Sequence, residues 1–414
     1  MQLRDEIVIV GAGVVGLAIA VRLTSAGRKV VVLDPLPPGS RTSFGNAGII
    51  SPASIMPMAG PGVLRKVPGW LTDPLGPLFI SPGYFPRLLP WLLRYIHAGT
   101  PDQVRKIAGA MHYLHRDCVE DWQHLVGKEF LAANMKFDGG LQLWSGQGTT
   151  KAAALGAEIR KRYGIEAEML STERVRELAP DVTSALTSGL LIHKAGYTLD
   201  PAELTAYLAD KLQRLGGQIM HRSVERIQRD APGRISLATN LHPIQCSQLI
   251  VAAGIWSGRL LAPLGIRVPL EAERGYHATL PNHNVRLAHS ISFKDRGFSV
   301  TPMRSGLRIA GTVEFSGLDT PPDMNRAQRL VKHAAELFPN ITHDEPMLWS
   351  GYRPSLPDSL PVIGRATEEG DVVMAFGHSH WGMSGAAGTA KIVDDIVHGR
   401  SSEPHHAFSH KRFE

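Results

Sequence analysis

The first thirty-four residues limit the fold more than any other stretch. Glu6–Val10 reads EIVIV, a short β-branched apolar run, and GAGVVG follows at once over Gly11–Gly16. An apolar-periodic segment, Leu17–Ala26, runs to a breaker at Gly27, and a second strand, Lys29–Leu33, ends in Asp34. Strand, glycine turn, helix, strand and acid in this order make a βαβ unit of the dinucleotide-binding kind. Gly11 permits the tight turn, Gly13 lets the backbone approach a pyrophosphate, and Gly16 lets the helix pack closely on the strand. The helix N-terminus then offers unpaired N–H groups and a positive dipole end to phosphates. Asp34, followed by Pro35, is placed to accept hydrogen bonds from an adenosine ribose.

With 414 residues the chain is long enough for two domains. Its formal charge of +6 is mild and scattered, unlike the clustered basicity of a nucleic-acid binder. No nucleic-acid partner is expected; an anionic small substrate or an anionic membrane surface is. Two cysteines, Cys118 and Cys246, make neither a disulfide framework nor a metal site, so no metal and a reducing compartment are expected. No apolar run reaches the length of a spanning helix. The chain starts directly on a strand, so no signal peptide is expected. These points together predict a cytoplasmic protein, with any membrane contact peripheral, on the inner membrane.

Pro35–Pro52 is a loop rich in Pro, Gly, Ser and Asn, long enough to suggest function. Within it SFGNAG, Ser43–Gly48, lets backbone amides and the Ser43 and Asn46 side chains come close to a flat polar ligand. In Pro82–Ala98 the residues Phe85, Leu88, Leu89, Leu92, Leu93 and Ile96 recur at helical spacing, flanked by Arg87, Arg94, Trp91 and Tyr95. That pattern suits either a lid or buried helix, or a membrane-surface helix, with Pro90 interrupting it. Asp102–Val126 and Thr149–Tyr163 read as helices. Asp200 caps a helix with Pro201 at its first position, ending near Leu215. Leu249–Ser257 reads LIVAAGIWS, a second buried strand running into small residues, where backbone at Ala253 and Gly254 can approach a cofactor. Val268–Glu314 has period-two runs separated by turns, which predicts a mostly antiparallel sheet. Trp349–Gly364 reads as a loop carrying Arg353. Asp371–Phe376 is a last buried strand, followed by GHSHWGMSGAAG and a helix from about Ser384 to His398. The polar tail beyond Arg400 is expected to fray. The expected class is α/β with an α+β insertion. A discontinuous cofactor domain takes 1–60, 196–265 and 346–414, and a substrate domain takes 61–195 and 266–345.

Read together, GAGVVG with Asp34, TSFGNAGIISP, VAAGIWSGRLLAPLGIRVPL, ERGY, RIAGTVEFSG, WSGYRPSLPDSLPVIG and GHSHWGMSGAAG are recognisable. In this order they resemble the FAD-dependent D-amino acid dehydrogenase family, within the wider amine oxidases related to D-amino acid and glycine oxidase. The closing GHSHWGM looks closer to the branch that handles D-hydroxyproline and other cyclic or secondary amino acids. The resemblance implies a Rossmann-like FAD-binding domain plus an antiparallel-sheet substrate domain. It implies that Gly11, Gly13, Gly16 and Asp34 hold the ADP half of FAD, with Val14, Val15 and Pro35 beside them. Ser43, Asn46, Ala47 and Gly48 would lie along the flavin, Val224 at the adenine side, and Ala253 and Gly254 at the pyrophosphate. Gly382 and Met383 would sit at the pyrimidine end.

The implied reaction oxidises a C–N bond next to a carboxylate, with hydride leaving the α-carbon for flavin N5. Arg353, in GYRP, matches the family's carboxylate-binding arginine, whose planar guanidinium can make two parallel charge-assisted bonds. Tyr276 and Arg274 are further candidates on the substrate-domain strand. His378 and His380 invite an acid–base role, since amine oxidation requires a neutral amine. The turn at Gly382–Met383 would bring amides and a helix dipole to the N1–C2=O end, where reduced flavin gathers negative charge. Electrons would leave to an external acceptor, a quinone or a cytochrome. The alternatives are an oxygen-using glycine- or sarcosine-type amine oxidase and the flavin subunit of a multi-protein electron-transfer complex.

Overall fold

Gln2–Val10 lies near the middle of an eight-stranded sheet in a computed structural model that describes residues 1–73, 76–146, 151–400 and 402–414. It pairs in parallel with Val30–Asp34 on one side and Ile244–Val251 on the other, and Gln218–His221 extends the parallel row beyond Val30–Asp34. Ile244–Val251 changes partners along its length. Ile244–Cys246 pairs antiparallel with Ile235–Leu237, while Leu249–Val251 pairs in parallel with Val372–Met374. Val224–Ala231 and Val362–Arg365 complete the sheet. The helix Val14–Ser25 is apolar nearly all round, as a helix covered on several sides must be. It packs on the sheet and against helices Gly382–Val397 and Pro201–Arg214.

The second sheet has nine strands and is mostly antiparallel. From one edge inward it runs Met347–Ser355, Glu271–Leu280, Gly306–Phe315 and Phe298–Met303. Two parallel pairings interrupt the pattern, Ser290–Phe293 with Gly140–Ser145 and Leu78–Ile80 with Gly306–Phe315. Side chains alternate across Glu271–Leu280. Tyr276, Ala278 and Leu280 face a core that includes Ala327, Leu330 and Ala334 of helix Asn325–Leu337. Glu273, Gly275 and His277 point the other way. Ile49–Ile50, Gly196–Thr198 and Met135–Lys136 form a small third sheet.

Several expectations need correction. Trp349–Gly364, expected as a loop in the cofactor half, begins within Met347–Ser355, an edge strand of the second sheet bonded along Glu271–Thr279. The 101–126 segment is two helices, Pro101–His115 and Cys118–Val126. It packs on the first sheet's helices rather than with the substrate half: Met111, Leu114 and Trp122 share a core with Leu17 and Met383. The helix Phe85–Ala98 runs through Pro90; Pro86 falls in its first turn, where no N–H is needed, so only Pro90 costs a helical bond. Of the helix expected from Thr149, residues 149 and 150 lie outside the described residues, and Lys151–Arg162 is helical. The tail is docked, not frayed. Phe408 is fully buried, and Arg412 donates to Asp358 at 2.7 Å.

Candidate active site

The glycine turn closes against the strand beside it. Gly11 has φ of +111°, and a Cβ there would overlap the carbonyl oxygen of Ala252. Ala252 N–H in turn donates to Val10 at 2.8 Å, so Ala253 and Gly254 border Gly11. A Cβ on Gly16 would overlap the Gly11 carbonyl. Gly13 caps the helix Val14–Ser25 with no side-chain bond, and the Val14 N–H donates to Ser43 Oγ at 3.0 Å. Asp34 accepts from Ala12 N–H at 2.8 Å and Leu36 N–H at 2.9 Å, one on each oxygen, which leaves acceptor capacity on both. The Arg222 N–H donates to the Asp34 carbonyl, which ties the turn leading to Val224 to the same sheet end.

The loop Ser43–Gly48 bridges the two sheets. Arg308, on Gly306–Phe315, donates to the carbonyls of Phe44 at 3.0 Å and Asn46 at 2.9 Å. Thr301 donates to Ala47, and His277 Nδ1 lies 3.1 Å from the Gly45 carbonyl. Asn46 accepts from Gly48 N–H at 2.7 Å, and Gly48 has φ of +73°. A Cβ on Gly45 would overlap the ring of Trp349, which stacks on His277 with centroids 5.0 Å apart. Just beyond the loop, Ser384 links it to the last helix, accepting from Ser51 N–H. That helix, Gly382–Val397, also begins without a side-chain cap. The Met383 carbonyl accepts from Trp122 Nε1 at 3.0 Å.

On the loop-facing side of the second sheet stand Glu273 and Arg353, directly opposite in register. Arg353 Nη1 donates to Glu273 Oε1 at 2.9 Å and to the Thr312 carbonyl at 3.0 Å. Ser355 donates to Glu273 Oε2 at 2.8 Å, and His380 Nε2 lies 2.7 Å from Oε1. Burial acts to raise the Glu273 carboxyl; His380 first, then Arg353 and Ser355, outweigh it and hold the group down at about 2.

Three expected residues point elsewhere. Tyr276 is on the opposite face of its strand; its hydroxyl donates to Glu314 Oε2 at 2.6 Å, inside the core under helix Asn325–Leu337. Arg274 joins the same buried group, with Nη1 2.7 Å from Glu314. His378 is buried, with Nε2 2.8 Å from Thr389 Oγ1. Burial first, and His115 next, push it down to about 3, so it is neutral and occupied within the packing of the last helix. Glu273 and Arg308 went unnoticed in the sequence, although the two-residue alternation that carries His277 also places Glu273 on the face toward Arg353.

A family model described as FAD dependent oxidoreductase, DAO, matches residues 6–396. The chain belongs to the DAO family of FAD-dependent oxidoreductases. This DAO-family chain is 35% identical over 99% of its length to a D-amino-acid oxidase of Bradyrhizobium diazoefficiens, of which it covers 99%. It is 31% identical to a D-amino acid dehydrogenase of the same organism, with 96% of each chain covered. In fold it is similar to L-proline dehydrogenase from P. horikoshii, with a TM-score of 0.74, 20% identity, and 100% and 98% of the two chains covered. Glycine oxidase from Geobacillus kaustophilus gives 0.70 at 22% identity, with 98% of each covered.

The residues present fit FAD. The Gly11–Ala252 contact leaves no side chain between backbone and a pyrophosphate, and the two uncapped helix starts supply amides for an anionic cofactor. Gly11, Gly13, Gly16, Asp34, Ala253 and Gly254 would hold its ADP half. Ser43–Gly48 and Gly382–Met383 would hold the ring. Bound there, FAD supplies a two-electron acceptor for a C–H bond.

Proposed function

We propose that the protein oxidises the CH–NH bond of a D-amino acid to the imine. One observation carries the reading. Arg353 spends Nη1 on Glu273 and Thr312, while its Nε–Nη2 edge makes no hydrogen bond among the described residues. That edge is a two-pronged donor matched to a carboxylate, on the sheet face turned toward the flavin loop. The names of the two Bradyrhizobium relatives support the same substrate class. The closing GHSHWGM motif makes cis-4-hydroxy-D-proline and D-proline the first members to try. The test is anaerobic bleaching of the flavin by a panel of D-amino acids. Bleaching that is lost in Arg353→Ala, with FAD retained, is the expected result; an oxidised flavin throughout the panel would end the reading. Peroxide released in step with substrate would favour an oxidase, as the 35% identical relative is named. Dye reduction by the isolated chain would argue against obligate partner subunits.

The acceptor is proposed to approach across helix Phe85–Ala98. Phe85, Leu89, Leu93 and Ile96 are exposed there, and Arg87 and Arg94 share the helix. Tyr95, on its inner side, is near enough to Glu273 for burial and that charge to push its phenol up. A quinone or a membrane-bound cytochrome would suit this apolar, basic face, and so would peripheral contact with an anionic bilayer. No helix among the described residues is long and apolar enough to cross a membrane. Flotation with anionic liposomes that persists in Leu89→Asp/Leu93→Asp would count against it.

A further inference from the structure

His380 is presented by a strained turn. Gly377 has φ of +85° and Ser379, not a glycine, has φ of +48°. Ser379 N–H donates to the Pro354 carbonyl at 3.1 Å, and its hydroxyl accepts from Leu356 N–H at 3.4 Å, so the turn is pinned to the end of the strand that carries Arg353. The turn sends His378 inward and His380 toward Glu273. At 2.7 Å from a carboxylate oxygen, Nε2 must carry a hydrogen, although its N–H is not aligned on that oxygen and is left without a well-formed hydrogen bond. Nδ1 makes no hydrogen bond among the described residues, and the side chain keeps 24% exposure. His380 and Arg353 touch the same oxygen of Glu273, so a carboxylate held on the free edge of Arg353 has its ammonium group in the neighbourhood of this ring.

We propose that His380, held by Glu273, takes the proton that the substrate ammonium gives up before its α C–H bond is broken. The N–H bond of the ammonium breaks, an Nδ1–H bond forms, and no electron changes owner in this step. The product is a neutral amine beside an imidazolium that the ionised Glu273 stabilises. The lone pair so freed is what C–H cleavage would need with FAD bound to supply the two-electron acceptor, and the imidazolium returns its proton to water. Charged and titratable groups around the ring come from each adjoining element: Glu273 from its strand, Arg353 from the next, Tyr95 from helix Phe85–Ala98 through Glu273, and His378 from the turn itself. The inference rests on the amino-acid reading above.

The test is the rate of anaerobic flavin reduction by D-proline and D-alanine from pH 6 to 10, in wild-type holoenzyme and in His380→Gln. Positioned general bases contribute roughly 10²–10⁴-fold. His380→Gln is expected to reduce at least 100-fold more slowly near pH 7 and to converge on the wild-type rate near pH 10, where solution supplies the neutral amine. A residue needed only for packing would not be rescued by pH. Glu273→Gln is expected to fall between the two. Benzoate, a carboxylate with no amine, should perturb the flavin spectrum equally in wild type and His380→Gln and fail to do so in Arg353→Ala. A wild-type pH profile in His380→Gln, or a loss that does not change with pH, would overturn the proposal and leave the amino-acid reading standing. No reduction of the wild type by any D-amino acid would overturn both.

Discussion

The guanidinium of Arg353 lies over Gly275, two strands of the second sheet meeting with one residue bare and the other bent across it. A Cβ at 275 would overlap Nη1, Cζ and Nη2 together. Gly275→Ala is therefore expected to push the guanidinium off its place while leaving the glycine turn at Gly11 untouched. Bound FAD should stay at wild-type stoichiometry, and kcat/KM for a D-amino acid should fall at least tenfold, mostly through KM. Near-normal kcat/KM would mean that the arginine can settle elsewhere without cost.

Gly16→Ala tests the other end of the site. The added Cβ would overlap the Gly11 carbonyl and separate helix Val14–Ser25 from its strand. The protein is expected to purify colourless, with its circular dichroism retained and its melting temperature lowered. A yellow variant of normal stability would remove the close packing from the account of cofactor binding.

Arg308 is buried with no salt bridge among the described residues; burial, opposed by the more distant charge of Asp200, lowers it to about 10, so it stays charged at neutral pH. Its work is done on the carbonyls of Phe44 and Asn46. Arg308→Met leaves both unpaired, at about 1–3 kcal/mol each. The expected result is a dissociation constant for FAD raised at least tenfold, read by fluorescence titration of the apoprotein. Unchanged FAD affinity would show that the loop holds its shape unaided.

Three buried histidines make the fold acid-sensitive. Burial pushes His115 down to about 4, and His277 and His378 down to about 3. The unfolded chain takes up protons at these positions near the ordinary histidine value, and the folded chain does not. Their stabilisation is complete above that value and is lost as pH falls toward 4 and then 3, at about 1.4 kcal/mol per pH unit for each such histidine. Unfolding midpoints measured from pH 7 to 4.5 should fall steadily, and His277→Asn should reduce the slope by about one proton's worth. A flat profile over that range would contradict neutral burial.

The parts of the site that could be read from the sequence are those where spacing itself encodes geometry. Gly11, Gly13 and Gly16 sit at fixed offsets between a strand and a helix, and the structure uses them as that spacing requires. Arg353 stood out through its motif. Its strand did not, because Gly351 and Pro354 carry the composition of a turn. Gly351 is there because the Trp349 ring occupies the space of its missing side chain. Period two in PLEAERGYHATL predicts a strand but not which parity faces the flavin loop; Glu273, not Tyr276, stands on that side. His378 and His380 are equivalent in sequence. Only the left-handed Ser379 between them turns one into the packing and the other toward the carboxylate.

Ile244–Val251 joins the amino-terminal strand to Val372–Phe376, and helix Val14–Ser25 leans on Gly382–Val397. The order of synthesis then has consequences. A ribosome delivers the nucleotide-binding turn well before the strand Val372–Phe376 and the helix Gly382–Val397 that shield it. Until those residues emerge, the apolar faces of Ile19, Val21 and Leu23 have no permanent cover, and the chain must be kept from aggregating. Cofactor loading is therefore a late event in the life of each molecule. A truncation before residue 372 should yield an aggregating chain rather than a smaller flavoprotein.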